Sequence, residues 1–250
     1  MKQLILLTLI TCSGFMVHAQ NSAFDTTAYE AKEISNGEHS LGYRILYPKK
    51  MVDGQKYPLV LFLHGMGERG SDNSSQLIHG GRLFLDSLEQ YPSVVVFPQC
   101  PITDTWTNFR SSEGGPTITP SMELILTLID ELLAESYIDP NRFYVSGLSM
   151  GGYATWELLW RIPEKIAVAL PICGGGIVDK TIHMTDVPIW AFHGAEDNVV
   201  PTRRSIQMVK GVQQNGGKAK ITIYPEVGHN SWTNAFNEPE YLKWMFDQRK

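Results

Sequence analysis

Ser149 is the residue of this sequence whose surroundings most clearly suggest chemistry. Glycines stand two positions before it and two positions after it, at Gly147 and Gly151. Residues 143–145 have the aromatic and apolar character of a buried strand, and apolar residues recur at a helical period over 154–159. A glycine-flanked serine between a strand and a helix allows a turn so tight that the hydroxyl stands exposed. We therefore predict that Ser149 is a nucleophile; the alternative is a serine that only caps the helix.

A serine nucleophile needs a base, and two later segments offer the partners. His229 follows the last predicted strand, residues 220–224, and Asp197 follows the strand that ends at Phe192. In the predicted site His229 takes the serine proton, while Asp197 holds the imidazole tautomer and supports its positive charge. We favour Asp197 over its neighbour Glu196 for this role. The alternatives are a solvated turn at Asp197 and an ordinary loop histidine at His229.

A glycine-rich segment after the first buried strand is predicted to stabilise negative charge. The strand covers residues 58–63, and residues 64–70 after it contain three glycines. We expect the backbone N–H groups of Met66 and of Met150, the residue after the nucleophile, to form an oxyanion hole. The alternative for residues 64–70 is an ordinary tight turn between a strand and a helix.

Three aromatic residues are candidates for contact with a substrate. Trp106 and Phe109 lie in a long segment, residues 99–120, that is rich in Pro, Thr, Ser and Gly, and Trp232 closely follows the predicted base. We expect these side chains to wall an open groove beside the nucleophile. Packing in the core is the alternative for each of them.

The order of the elements predicts an α/β fold with a mostly parallel sheet. Continuous apolar runs at 58–63, 94–97, 166–172 and 188–194 alternate with segments of helical period. Strands of this kind are buried on both faces, as in a parallel sheet covered by helices. Ligands meet the carboxyl ends of such strands, which is where the candidate residues stand. Residues 166–185 leave no room for a large helical lid.

Composition and the first residues bound the class of protein. Of the 250 residues, 43% are hydrophobic and 19% are charged, and the formal net charge is -5. Because no large basic cluster is present, nucleic acid is not an expected partner. Residues 1–19 are predicted to be a signal peptide, with lipidation at Cys12 or a buried strand as alternatives. Residues 20–250 are then expected to form one periplasmic or secreted domain without a membrane anchor.

The two cysteines outside the predicted signal peptide do not indicate a metal site. Neither Cys100 nor Cys173 belongs to a C-x-x-C pair or a Cys/His array, so no zinc site is predicted. An exported chain with two cysteines can form a disulfide, but we favour free, buried thiols here.

The order of nucleophile, acid and base resembles the α/β-hydrolase superfamily over residues from about 40 to the C-terminus. More narrowly, residues 139–152 and the pair Gly228-His229 with nearby Trp232 look like exported bacterial esterases. These are the dienelactone-hydrolase-like and polyhydroxybutyrate-depolymerase-like proteins, which are grouped near the feruloyl and acetylxylan esterases. The resemblance implies hydrolysis of carboxylic esters through a covalent serine ester, without a cofactor.

Three functions compete on this sequence. The first is an exported serine esterase that acts on short-chain or aromatic acyl esters of carbohydrates, either small molecules or polysaccharides. The second is a peptidase of the prolyl-oligopeptidase type, which uses the same triad together with a partner domain that we do not expect here. The third is a non-catalytic binding module, which is expected to lack a member of the triad. Because Ser149, Asp197 and His229 are all present, we favour the esterase.

Overall fold

The computed structural model describes residues 25–108 and 117–250, so the predicted signal peptide, Cys12 and Phe109 lie outside the described residues. Within these ranges eight strands form one sheet. The strands are β1 Glu30–Ser35, β2 Ser40–Leu46, β3 Tyr57–Leu63, β4 Val94–Pro98, β5 Ile138–Leu148, β6 Val168–Ile172, β7 Ile189–Gly194 and β8 Ala219–Tyr224. Their order across the sheet is β1-β2-β4-β3-β5-β6-β7-β8. β2 runs antiparallel to β1 and β4, and the remaining neighbours pair in parallel, as the sequence predicts.

Helices connect the parallel strands and cover both faces of the sheet. The α-helices are α1 Gly81–Ser87, α2 Pro120–Leu133, α3 Met150–Arg161, α4 Arg203–Gln214, α5 Trp232–Phe236 and α6 Tyr241–Phe246. Short 3₁₀ helices span Thr26–Ala28, Met66–Glu68, Ser75–Leu77 and Val178–Met184. The last of these is the one helix in the described segment between β6 and β7, so that segment holds no large lid.

The alternation of side chains along β3 divides the core into two layers. All seven residues of β3 are buried. Leu61 belongs to the cluster that includes residues of α2, α3 and α4, and its neighbour Phe62 belongs to the cluster that includes α1 and α6. Successive strand residues point to opposite faces, so a strand inside a covered sheet must be apolar throughout. This burial explains why the central strands read as continuous apolar runs.

Three local elements differ from the sequence-based expectation. β1 has five exposed positions out of six, so it carries no apolar run by which to recognise it. Residues 77–88 are compatible with one helix in the sequence, but the chain is interrupted at Gly80, whose φ of 88° lies in the left-handed region, and α1 begins only after it. Trp232 begins the short helix α5, which the sequence pattern did not predict.

Among the helices of residues 25–108 and 117–250, none is both long enough and apolar enough to cross a bilayer.

Candidate active site

The backbone at Ser149 forms the sharp turn that the glycine pattern predicts. Ser149 has φ 53° and ψ -114°, between the end of β5 and the start of α3. A Cβ atom at Gly151 would lie 1.9 Å from the carbonyl oxygen of Leu63, and one at Gly147 would lie 2.5 Å from that of Gly151. No side chain fits at either distance, so both positions require glycine. A non-glycine residue with positive φ stores about 1 to 3 kcal/mol of strain, which is typical of functional sites.

The three residues predicted to cooperate lie at the carboxyl ends of β5, β7 and β8. Nε2 of His229 lies 2.9 Å from the hydroxyl oxygen of Ser149. Nδ1 of the same ring lies 2.7 Å from Oδ2 of Asp197. Since the carboxylate accepts, Nδ1 carries a proton and Nε2 of the neutral ring is free to accept the serine proton. The structure thus brings Ser149, His229 and Asp197 into one chain of hydrogen bonds.

The environment of Asp197 keeps its carboxylate ionised. Its side chain is fully buried, and its Oδ1 accepts the backbone N–H groups of Val199 at 2.9 Å and Val200 at 2.8 Å. Burial alone would raise its pKa, but the hydrogen bonds from His229 and from these two amides hold the pKa of Asp197 below its ordinary value. Glu196 is exposed, so the structure places Asp197, and not Glu196, against His229.

His193 contacts the carboxylate of Asp197, a role that the sequence pattern did not predict. Its ring is fully buried, with Nε2 2.9 Å from the carbonyl oxygen of Val200 and 3.2 Å from Oδ2 of Asp197. Burial lowers the pKa of His193, which favours a neutral ring. Because Val200 can only accept through its carbonyl oxygen, Nε2 carries the proton of that ring. His193 therefore fixes the turn that holds Asp197 without adding a second positive charge.

The segment after β3 lies over the nucleophile. Gly65 precedes a 3₁₀ helix that begins at Met66, and α3 begins at Met150. A Cβ atom at Gly65 would lie 3.6 Å from Cβ of Ser149 and 2.8 Å from the side chain of Leu148. The first residue of a helix has a backbone N–H group without a partner inside that helix. Met66 and Met150 therefore both have N–H groups without a partner inside their helices, and both stay the predicted donors of an oxyanion hole.

His64 anchors this segment to the neighbouring strand, although the sequence suggested no role for its side chain. Its Nε2 accepts the backbone N–H group of Cys100 at 3.0 Å, so Nδ1 carries the proton and donates to the carbonyl oxygen of Gly65 at 2.6 Å. Burial lowers the pKa of His64 to about 4, so the ring is neutral at neutral pH. His64 therefore holds the Gly65–Met66 peptide in place by uncharged hydrogen bonds.

Arg69 ties the other end of the same segment to the chain that follows β4. Its guanidinium donates to the carbonyl oxygen of Met66 at 3.2 Å and to those of Ile102 at 3.2 Å and Asp104 at 3.0 Å. One planar group with several donors can satisfy carbonyls from two chain segments at once. Arg69 therefore fixes the carbonyl group of Met66, while His64 fixes that of Gly65.

The aromatic predictions have different outcomes. The expectation that Trp106 contacts substrate is wrong, because its side chain is fully buried and its ring N–H donates to the carbonyl oxygen of His64 at 3.0 Å. Phe109 lies outside the described residues. Trp232 is partly exposed and stands perpendicular to the His229 ring, with ring centroids 5.6 Å apart. Of the two candidates that lie within the described residues, Trp106 and Trp232, it is thus Trp232 that borders the site.

Both described cysteines are free and buried, as predicted. Burial raises the pKa of the Cys100 thiol and that of the Cys173 thiol to about 12, so both remain protonated. The donor atoms of Cys173, Asp197 and His229 lie within 4.8 Å of one another. Asp197 and His229 already bond each other, and a protonated thiol is a poor metal ligand, so this arrangement fits proton transfer better than metal binding.

Comparison with known proteins supports an esterase fold. The sequence profile of the phospholipase/carboxylesterase family matches residues 101–240, more than half of the chain. A solved thermostable esterase has 36% sequence identity and a TM-score of 0.85, over 90% of this chain and 64% of that one. Across the matched relatives, the chain spans from about a fifth to most of their length.

Two curated enzymes show this range. A bifunctional acetylxylan esterase/xylanase of Neocallimastix patriciarum is 32% identical over 63% of this chain and 21% of its own length. A probable feruloyl esterase C of Aspergillus terreus is 24% identical over 89% of this chain and 80% of its own length. With the profile match, the parallel sheet and the turn at Ser149, these similarities show that the chain belongs to the phospholipase/carboxylesterase family of α/β-hydrolases.

Proposed function

We propose that this protein is an exported serine hydrolase of carboxylic esters that works through a covalent acyl-enzyme. The observation that carries the proposal is the hydrogen-bonded chain from Ser149 through His229 to the buried carboxylate of Asp197, at 2.9 and 2.7 Å. Export rests on the pattern of residues 1–19, and a mature protein whose N-terminus is not near residue 20 contradicts that part.

The mechanism follows from the positions of the proton and of the developing charge. His229 takes the hydroxyl proton as the oxygen of Ser149 attacks the ester carbonyl, and the carbonyl oxygen becomes an oxyanion facing the amides of Met66 and Met150. The tetrahedral intermediate expels the alcohol, whose oxygen receives the proton from His229. Water then attacks the acyl-enzyme with His229 again as the base, and the acid and free serine are released. Asp197 stays ionised throughout.

The substrates we propose are short-chain or aromatic acyl esters of carbohydrates. The similarity to enzymes described as acetylxylan and feruloyl esterases supports this choice. The geometry adds a second argument, since the segment between β6 and β7 contains only the 3₁₀ helix Val178–Met184. Without a helical lid there, little apolar surface can enclose a long acyl chain.

The Ser149→Ala variant tests the nucleophile. We expect kcat for p-nitrophenyl acetate to fall by roughly 10⁵-fold or more, because the remaining amides and groove cannot replace a covalent step. The melting temperature should not decrease, since alanine removes only the hydroxyl. Mass spectrometry of the wild-type protein quenched during turnover should show an acetyl group on Ser149. Turnover near the wild-type value in the variant contradicts the assignment.

A series of acyl lengths tests the substrate. In a lipase-like site each buried methylene contributes up to about 0.8 kcal/mol, so kcat/KM climbs steeply with chain length. Here we expect kcat/KM to fall beyond a few carbons when acetate to decanoate esters of one alcohol are compared. A maximum at eight or more carbons contradicts the open-groove proposal. Peptide p-nitroanilides, included in the same series, should be hydrolysed far more slowly if the protein is an esterase and not a peptidase.

A further inference from the structure

A groove begins next to the predicted base and runs between α1 and α5. It has a volume of about 520 Å³, within the roughly 300 to 1,000 Å³ that ligand sites occupy. Its lining combines two aromatic rings with several polar groups: His79, Arg82, Asp86, Trp232, Phe236 and Asn237. The ring of Trp232 contacts that of His229 on one side and that of His79, 5.1 Å away between centroids, on the other. The ring of Trp232 is therefore the wall that separates the groove from the His229 ring.

The position of the groove relates it to one half of an ester. The leaving alcohol receives its proton from Nε2 of His229, so the alcohol oxygen must lie beside that ring. Trp232 packs at the same ring and lines the groove, whereas Ser149 does not line it. The group attached to the alcohol oxygen thus has a direct path along Trp232. The groove fits the alcohol half of the substrate better than the acyl half.

Glu68 supplies an acceptor between His79, which lines the groove, and Gly65, which lies beside the nucleophile. Its Oε1 lies 3.6 Å from Nε2 of His79, which lines the groove. Its Oε2 is buried and has no hydrogen-bond partner among the described residues. A Cβ atom at Gly65 would lie 3.0 Å from this Oε2 and 3.6 Å from Cβ of Ser149, so both groups border one point. A ligand that donates a hydrogen bond to Oε2 would satisfy a group that is otherwise costly to bury.

Glu68 also affects the charge that develops during the reaction. A carboxylate oxygen beside Gly65, the residue before Met66, opposes the formation of an oxyanion at the proposed site. A hydroxyl group that donates to Oε2 spreads this negative charge and reduces the opposition. Substrates with a free hydroxyl near the ester should therefore react faster, as well as bind more tightly, than substrates without one.

We infer that this groove is a subsite for the sugar ring of the leaving alcohol, with Trp232 as the stacking platform and Glu68 as the acceptor for a sugar hydroxyl. A pyranose has apolar C–H faces that cover an aromatic ring and a rim of hydroxyls that donate to carboxylates. Trp232 and Glu68 offer these two surfaces, and both contact the ring of His79. The inference rests on the proposed esterase function and adds the site that selects the alcohol.

The test compares esters of one acid with different alcohols. The substrates are methyl acetate, methyl β-D-xylopyranoside carrying one O-acetyl group, and the same glycoside with its free hydroxyls methylated. The quantity measured is the ratio of kcat/KM for each sugar ester to kcat/KM for methyl acetate. We expect Trp232→Ala to lower the ratio for the free sugar ester about 10-fold, and Trp232→Phe to keep most of it. We expect Glu68→Gln to lower it about 10-fold for the free ester and not for the methylated one.

Matched controls separate the groove from general effects on the fold. Trp160→Ala removes a half-buried tryptophan of α3, and Glu164→Gln removes an exposed carboxylate just after that helix; neither should change the ratios. Equal losses of kcat/KM for the sugar ester and methyl acetate in both groove variants overturn the inference. It is also overturned if Trp232→Ala instead changes the ratio of methyl ferulate to methyl acetate, because the groove then holds the acyl half.

A binding measurement distinguishes failure of this inference from failure of the proposed function. Saturation-transfer NMR of methyl β-D-xylopyranoside with the Ser149→Ala variant needs no turnover. Binding that is lost on adding Trp232→Ala supports the subsite even if no ester is hydrolysed. Absence of binding, in a protein whose wild-type form hydrolyses methyl acetate through Ser149, overturns the subsite and leaves the esterase proposal standing.

Discussion

The two sides of the candidate site use different kinds of chemical group: side-chain atoms on one side and backbone groups on the other. On the acid–base side, the loops after β7 and β8 that carry Asp197 and His229, the groups that act are side-chain atoms bonded to each other. On the oxyanion side, which is the segment 64–70 after β3, the groups that we propose to act are backbone N–H groups. There the side chains of His64 and Arg69 bond to backbone carbonyls and amides and hold the turn in shape.

This difference decides what a substitution can do on each side. A change at Asp197 or His229 removes or misplaces a reacting proton. Apart from proline, no substitution removes the N–H group of Met66, which is otherwise displaced only when its supports are lost. We therefore expect larger and cleaner effects on the acid–base side, and graded effects that combine activity with stability on the oxyanion side.

The largest effect that separates the two sides is expected for Asp197→Asn. An amide in place of the carboxylate can donate to Nδ1 of His229 and so favours the wrong tautomer, which leaves no free Nε2 lone pair for Ser149. We expect kcat to fall about 10⁴-fold with little change in KM. Steady-state kinetics with p-nitrophenyl acetate measures this effect.

Glu196→Gln is the matched control for that variant. Glu196 is adjacent in sequence, carries the same charge and is exposed, so its loss should change kcat by less than about 2-fold, as for other surface substitutions. Comparable losses in the two variants contradict the role given to Asp197. A larger loss for Glu196→Gln reverses the assignment.

On the oxyanion side the expected effect of His64→Ala is smaller. The variant leaves the N–H group of Cys100 and the carbonyl of Gly65 without their partner, which loosens the peptide that presents the Met66 amide. Losing one oxyanion donor typically lowers kcat by about 10²-fold, and we expect that loss here. Kinetics and thermal unfolding of the variant measure activity and stability together.

His64→Gln separates position from simple stability. A glutamine amide oxygen can still accept from the N–H group of Cys100, so part of the kcat lost in His64→Ala should return. If both variants unfold at the wild-type temperature and keep the wild-type kcat, the segment does not depend on His64. If stability falls but kcat per folded molecule is unchanged, His64 is structural only.

The acid–base side could be predicted from the sequence because its chemistry depends on the identity of the side chains. A serine between glycines, an acid after one apolar run and a histidine after another specify the order and the strand ends, and the structure brings these residues together. The alternation of apolar runs and helical periods likewise predicted the parallel sheet, because a strand buried on both faces must be apolar throughout.

The oxyanion side was predictable only in part. The glycines of residues 64–70 indicated a turn, but His64 bonds to Cys100 and Arg69 to Asp104, 36 and 35 residues away, and no local pattern encodes such contacts. Trp106 was misplaced for the same reason, since its partner is the carbonyl of His64. An aromatic residue in a polar segment resembles a surface platform until the fold shows what packs around it.

The smallest expected effect concerns pH, and it also distinguishes the two sides. The pKa of His64 is about 4 in the folded chain and about 6.5 when unfolded, so between these values the unfolded state binds more protons. The stabilising contribution is complete above about pH 6.5 and is lost as the pH falls toward 4. The pKa of Asp197 is lowered, so its contribution to stability persists through this window and is lost only in stronger acid.

Because the pKa of His193 is lowered like that of His64, the pH dependence of the wild-type stability alone cannot separate the two histidines. The comparison must therefore use His64→Gln, which does not titrate. At about 1.4 kcal/mol per pKa unit, we expect wild type to lose up to roughly 2 kcal/mol more than His64→Gln between pH 6.5 and 5 in urea unfolding. Parallel losses in the two proteins would mean that His64 is not held neutral beneath the oxyanion segment.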